Sequence, residues 1–215
     1  MKGLFIKDLA LLKNQGKIIF IALVISLIYL FVDVEGFSIT FLALMGMLIG
    51  ISTIAYDEND NGGAYLFSMP FTVKQYCVEK YLFVFGGILF GALFGYAVSI
   101  GSILLGKSGV TYASLFETFI VAIGLFGFME SFLLPLNLGF GPEKGRNIAA
   151  VIAGLILAAV FLFRSFAGNI PVPEFITKLQ DVPDFVFTTV TIVGAAVMLT
   201  VSFIITNTIM RKKEF

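Results

Sequence analysis

Long apolar runs broken by short charged stretches set the pattern of this chain. Six runs stand out, at residues 18–32, 36–56, 81–106, 114–140, 147–163 and 185–210. A membrane-spanning helix takes about 20 apolar residues, within a range of about 17–25. The pattern therefore predicts an all-α protein with six transmembrane helices, folded as a single transmembrane domain over residues 1–215. The first run, about 15 residues long, spans only if its ends snorkel or its tilt is small. Five crossings result if the first two runs form a re-entrant pair. Glu117 and Glu130 interrupt the fourth run.

The polar stretches between the runs predict further elements. In "LFIKDLALLK", Phe5, Leu9 and Leu12 share one helical face, with Lys2, Asp8 and Lys13 elsewhere. Residues 1–16 thus read as an amphipathic helix lying at the membrane interface, with a break at Asn14-Gln15-Gly16. The loop at residues 57–80 opens with acidic and Asn residues, passes two glycines and reaches the apolar "AYLFSMP", which Pro70 stops. Thr72 and Gln75 then have the spacing of a capping box, starting a helix that runs into the third span. The apolar knob Tyr65, Leu66, Phe67 and Met69 is expected to be exposed between charged flanks, as contact surfaces are. In the loop at residues 165–184, "PVPEFITKLQDVPD" predicts a short outer-face helix between spans five and six, with Pro173 in its first turn and Phe175, Ile176 and Leu179 on one face. Within span three, Gly87, Gly91 and Gly95 recur at spacing four and Ser99 continues the stripe; Gly46 and Gly50 do the same in span two. Such stripes let helices approach closely, within one bundle or between subunits.

Composition supports the membrane reading. Hydrophobic residues make up 59% of the chain and charged residues 13%, about half the charge of an average soluble domain. The formal net charge is zero, so nothing points to a nucleic-acid partner. His is absent, which removes His-based acid–base catalysis and His-containing metal sites from this chain; no metal site is expected. The lone Cys77 cannot form an internal disulfide, and no cleavable signal peptide is expected.

Charge also orients the spans. With both termini inside, Lys2, Lys7, Lys13, Lys17, Lys74, Lys80, Lys144, Arg146, Arg211, Lys212 and Lys213 face the cytoplasm, against Lys107, Arg164 and Lys178 outside. That asymmetry satisfies the positive-inside rule. It also disposes of "GSILLGKS" at residues 101–108, which fits the P-loop pattern. A P-loop needs a strand leading in and a helix leading out, whereas this stretch ends a membrane helix and places Lys107 outside. Glu130 is an intramembrane charge, for which pairing or neutralisation is expected at a cost of roughly 3 kcal/mol otherwise. If spans four and five form a hairpin about Gly141, Glu117 and Arg164 fall at equal depth near the outer interface and are expected to pair.

Two stretches carry a family resemblance. A second span ending in "YDEND", followed by "YLFSMPFTVKQYCVEKY", resembles the small permeases of the type-2 ABC transporter family. There the loop runs from acidic residues through an apolar SLP-like stretch to a basic helix start and "KY". The second stretch, "LLPLNLGFGPEKGRNIA" at residues 133–149, matches the family's Pro near the end of span four and its Gly, Glu, Lys and Arg turn before span five. Similar proteins include the permeases of phenol-soluble modulin exporters. One departure is Val73-Lys74, which keeps a single positive charge where relatives often have Arg before the helix.

The resemblance implies a permease subunit, not an enzyme, of an exporter in the bacterial cytoplasmic membrane. ATP and Mg²⁺ would be bound by a separate ABC ATPase subunit, with no cofactor in this chain. A second permease, identical or different, would complete a route for a hydrophobic or amphipathic substrate, peptides among the candidates, with spans two and five facing that route. It implies an ATPase-contact loop at Asp57, Glu58, Tyr65, Leu66, Phe67, Ser68, Met69 and Pro70. A second cytoplasmic turn would comprise Gly141, Glu143, Lys144 and Arg146. The rival reading is a stand-alone secondary transporter or channel, which needs intramembrane charge at a binding site and an internal repeat; Glu130 answers the first requirement and no convincing repeat answers the second. An intramembrane enzyme would need a Ser or Asp pair that the chain does not display.

Overall fold

The computed structural model describes residues 2–31, 36–58, 66, 68, 70–106, 111–166 and 184–212. Among these the regular structure is helical. It comprises α1 (Lys2–Asn14), α2 (Gly16–Ile28) continued by a 3-10 turn (Tyr29–Phe31), α3 (Phe37–Glu58), α4 (Val73–Leu104), α5 (Tyr112–Phe140), α6 (Pro142–Phe166) and α7 (Asp184–Lys212).

Local chemistry sets the helix ends. The Thr72 hydroxyl accepts from the Gln75 N–H at 3.3 Å, and the Thr72 N–H donates to Gln75 Oε1 at 3.0 Å, closing the capping box that starts α4. Thr111 and Ser114 build the same reciprocal pair at the start of α5. Gly106 and Gly141 end α4 and α5 with φ of +74° and +85°, a region that costs glycine nothing and other residues strain. Pro142 follows as the first residue of α6, where its missing N–H is harmless.

Packing divides the bundle into two close pairs. Along α3 and α4, a Cβ at Gly46 would collide with the Gly87 carbonyl, one at Gly91 with the Leu42 carbonyl, and one at Gly95 with the Ser38 carbonyl. The two numberings run in opposite senses, so the helices are antiparallel with their backbones in contact. In lipid, where apolar surface gains nothing from leaving the solvent, such van der Waals contact is a principal source of helix association. The glycine stripes of spans two and three therefore meet each other within this chain.

The second pair is α5 with α7. Gly124 lies beside Thr191, Gly127 beside Ala195 and Leu199, and Gly139 beside Ile209. Here both numberings rise together, so α5 and α7 run parallel. With α5 and α7 parallel, the chain between Phe140 and Asp184, which includes α6, returns to the end of the bundle where α5 began. A buried core of Ile39, Ala43, Met47, Val84, Ile88 and Leu134 joins the two pairs.

α2 rises along α3. Near one end Gln15 Nε2 donates to Ser52 Oγ at 2.6 Å, and near the other the Ser38 hydroxyl donates to the Ser26 carbonyl at 3.0 Å. The Tyr29 and Phe37 rings stack at 3.7 Å beyond it. α1 joins α2 at a bend of 67°.

By length and apolarity, four of the described helices can cross a membrane: α3, α4, α5 and the Thr188–Lys212 part of α7. The bent α1–α2 pair brings the number to five if it counts as one span. This is fewer than the six crossings read from the apolar runs. α2 is only 13 residues, about 20 Å at 1.5 Å per residue, and α6 opens with Glu143, Lys144 and Arg146.

Several expectations change or fall outside the described residues. The α1 residues buried against the bundle are Leu4 and Asp8, while the Phe5, Leu9 and Leu12 face lines an open groove. Gly101 to Leu104 belong to the last turn of α4, so helix and not strand leads into "GSILLGKS"; Lys107 lies outside the described residues. The outer-face helix expected at 165–184 also falls beyond them, residues 167–183 being outside, as does the side chain of Arg164; Glu117 is exposed on α5.

Candidate functional site: the charged end of the bundle

At the end of the bundle where α3 stops and α4 starts, three helices each contribute two polar residues. α1 supplies Lys7 and Asp8, α3 supplies Thr53 and Asp57, and α4 supplies Tyr76 and Lys80. The pairs on α3 and α4 are four residues apart, which stacks them on one helical face.

The Lys80 ammonium is fully buried and uses all three of its donors. It reaches Asp8 Oδ2 at 2.5 Å, Asp57 Oδ2 at 2.7 Å and Thr53 Oγ1 at 3.0 Å. Lys7 bonds the other Asp57 oxygen and approaches Asp8 Oδ1 at 3.1 Å. Two lysines and two aspartates thus close a ring of alternating charge. Tyr76 donates its hydroxyl to Asp57 at 3.0 Å, and its ring lies 5.5 Å from the Lys80 nitrogen. Burial works against the Lys7 ammonium, but Asp57 and Asp8 more than offset it, leaving its pKa above the ordinary value.

The ring has a mechanical consequence. Asp57 and Tyr76 flank the two ends of the loop at residues 59–71, and both are tied to α1 through Lys7, Asp8 and Lys80. α1, α3 and α4 are thus cross-linked at this end of the bundle. A further titratable group, Glu79, adjoins the ring and is fully buried.

The residues read as an ATPase-contact loop sort unevenly. Leu66 is buried and joins the core, which corrects its reading as part of an exposed knob; Asp57 is buried as well, taken up by the ring. Glu58 is half-buried and its carboxylate lies against Gly141. Ser68 and Pro70 are exposed; Tyr65, Phe67 and Met69 lie outside the described residues. Through Glu58, the loop meets the second turn, whose Glu143, Lys144 and Arg146 are all exposed. Gly145 is tight against the backbone of Leu136 and Asn137, which fixes how α6 leaves α5. Among the described residues, no group of three or more acidic, His or Cys side chains could hold a metal.

A second polar assembly lies within the membrane-crossing part. Pro135 has no N–H for the carbonyl four residues back, that of Ser131. The Ser202 hydroxyl of α7 donates to that carbonyl at 2.5 Å instead. Ser202 is in turn 2.6 Å from the Tyr81 hydroxyl, which is 2.8 Å from Thr206 Oγ1. One missing donor in α5 is thereby answered by a hydroxyl chain joining α4, α5 and α7. Glu130, next to Ser131, is fully buried, and neither carboxyl oxygen has a hydrogen-bond partner among the described residues.

A family model described as "ABC-2 family transporter protein" matches residues 3–211. The chain belongs to the ABC-2 transporter family. No curated protein and no solved structure matches it, so the narrower likeness to phenol-soluble modulin permeases finds no support there. Membership makes this ABC-2 protein a membrane transport component whose apolar helices form a transmembrane unit. Family proteins of this kind work with an ABC ATPase, which gives the charged end, where the loop and the turn meet, its functional interest.

The ring's main members escaped the sequence reading. Asp8 reads as the polar face of an amphipathic helix, and Lys80 as one of several inner-side charges. The available signal was the pairing of polar residues at spacing four on two adjacent spans, Thr53 with Asp57 and Tyr76 with Lys80.

Proposed function

We propose that this ABC-2 protein is the permease subunit of an ABC exporter in the bacterial cytoplasmic membrane, with both termini inside. ATP, with Mg²⁺, is hydrolysed by a separate ATPase subunit docked at the charged end. One observation carries the reading beyond the family: a buried ring of charges ties both ends of the polar loop to α1, as a part that transmits force requires. The docking surface comprises Ser68 and Pro70 of the loop and Glu143, Lys144 and Arg146 of the second turn, which adjoin through Glu58 and Gly141.

Movement of the ATPases presses on this surface. Backbone contact and the ring make α1, α3 and α4 move as one body, and that body shifts against α5, α6 and α7. Six crossings are proposed, because parallel α5 and α7 need a return crossing through α6 and because α2 spans the height between Ser52 and Ser38. A second permease, of the same or another chain, completes the route. The apolar residues exposed on α6 and α7, Val151, Leu155, Phe161, Val190 and Val193 among them, suit a hydrophobic or amphipathic cargo such as a peptide.

The test is purification of the tagged protein from its native membrane. A stoichiometric ABC ATPase, with ATP-dependent transport of amphipathic peptide in vesicles, is expected. A protein that purifies alone and transports without ATP would overturn the reading in favour of a stand-alone transporter.

A further inference from the structure

Between the bent α1–α2 pair and the outer faces of α3 and α4 lies a groove of about 470 Å³, within the range of roughly 300–1,000 Å³ that small-ligand sites occupy. Its walls are apolar: Phe5, Leu9 and Leu12 on one side, Met45 and Phe90 on the other. Gly86 and Gly87 form part of its floor. Gly87 faces α3, but a Cβ at Gly86 would meet nothing within 4 Å, so the floor is open backbone.

Charge at the rim says what fits. At 100° per residue, Lys2 and Lys13 fall within about 80° of the Phe5–Leu9–Leu12 line, on the side away from the buried Leu4 and Asp8. Both are exposed, and neither makes an ion pair among the described residues, whereas Lys7 and Lys80 are fully engaged in the ring. An apolar slot beside an interfacial helix whose adjoining side carries two exposed lysines complements one kind of molecule. It is a chain of hydrocarbon ending in a phosphate.

We infer that the groove binds an anionic phospholipid, one acyl chain lying over Gly86 between α1 and α4 and its negative headgroup drawn to the side of α1 that carries Lys2 and Lys13. Basic side chains near a membrane surface each strengthen binding of an anionic lipid by about five-fold. The bound lipid fills the angle of the α1–α2 bend and holds α1 against the bundle at the same end as the ring. This inference rests on the membrane location alone and not on ATPase docking, so either can fail without the other.

The experiment is native mass spectrometry of the detergent-purified protein titrated with dioleoyl phosphatidylglycerol or dioleoyl phosphatidylcholine. The wild type is expected to retain the anionic lipid at least about ten-fold more strongly. Lys2→Gln with Lys13→Gln should abolish the preference while weak binding of both lipids survives. Gly86→Leu should fill the slot and remove retention of both, and an unchanged melting midpoint in lipid-free detergent will show that it folds. Equal retention of the two lipids by the wild type, or unaltered retention in folded Gly86→Leu, overturns the inference. Loss of a dimer in Gly86→Leu with lipid retention intact also overturns it, and assigns the groove to a second copy of the chain.

Discussion

Asp8 and Glu130 are both fully buried carboxyl groups, yet their surroundings are opposite. Asp8 sits in a ring where two ammonium groups answer two carboxylates, at the end of the bundle where the polar loop begins. Glu130 sits among apolar helices beside a chain of neutral hydroxyls, with no hydrogen-bond partner among the described residues. A ring of alternating charge is stable only while complete, because removing one member strands another without water. A lone carboxyl has no such dependence. The comparison separates a charge cluster that ties three helices together from a polar group that the membrane part merely accommodates.

Removing one member of the ring is therefore expected to have the largest effect. Lys80→Met leaves Asp8 and Asp57 to share Lys7, and breaking a buried pair from one side costs about 3–5 kcal/mol. The double variant Lys80→Met with Asp8→Leu restores charge balance, leaving Lys7 with Asp57. It is expected to recover part of that loss, and thermal melting in detergent across the four-protein cycle reads the coupling. A double variant no better than Lys80→Met would mean that the ring is packing and not electrostatics.

What the sequence displays and what it hides follow from distance along the chain. Apolar runs and the Thr72/Gln75 capping box are local patterns, and the structure places helices and cap at those positions. The glycine stripes were legible as close-approach surfaces, but not that Gly46 and Gly87 face each other. The Thr111/Ser114 cap escaped because Ser is not the usual third-position partner. The ring was hidden because Lys7, Asp8, Asp57 and Lys80 come together only when α1 folds back on the bundle, and a polar residue on an amphipathic helix ordinarily faces water. The exposed apolar knob failed at Leu66 for a related reason: a residue in a polar loop can still turn inward when the core lies beneath it.

The hydroxyl chain offers an intermediate effect. Ser202→Ala removes the donor that answers the Ser131 carbonyl and leaves that carbonyl buried and unpaired, at about 1–3 kcal/mol. Tyr81→Phe removes only the link to Ser202 and Thr206, and about 1 kcal/mol is expected. Restoring a backbone donor by Pro135→Ala should make Ser202→Ala nearly harmless, which melting of the double variant checks. If Ser202→Ala costs the same in both backgrounds, the proline is not the reason for the bond.

A smaller change is expected at the start of α4. Thr72→Ala loses one N-cap hydrogen bond, worth about 1 kcal/mol. Because the cap lies between the loop and Tyr76, the loss should appear as faster amide exchange at Val73–Gln75 with the melting midpoint almost unmoved. Fast exchange that spreads as far as Lys80 would mean that the ring does not hold the helix by itself.

Glu130→Gln is expected to have the least effect and bears hardest on the comparison. An ionised carboxylate at mid-membrane costs about 3 kcal/mol on insertion scales, and nothing described near Glu130 repays it. The neutral acid and the amide have nearly the same shape, and both can donate a hydrogen bond. Replacing one by the other should shift stability by less than about 1 kcal/mol, well below the effect at Lys80. Glu130→Lys should be far worse, since it places a cation among the same apolar helices. The decisive measurement is the melting midpoint of Glu130→Gln beside that of Asp8→Asn. If the two fall together by several kcal/mol, Glu130 is held ionised by a partner, and the contrast between the ring and the membrane-crossing part disappears. If only Asp8→Asn falls, yet Glu130→Gln stops transport, Glu130 serves cargo or proton movement and not the fold.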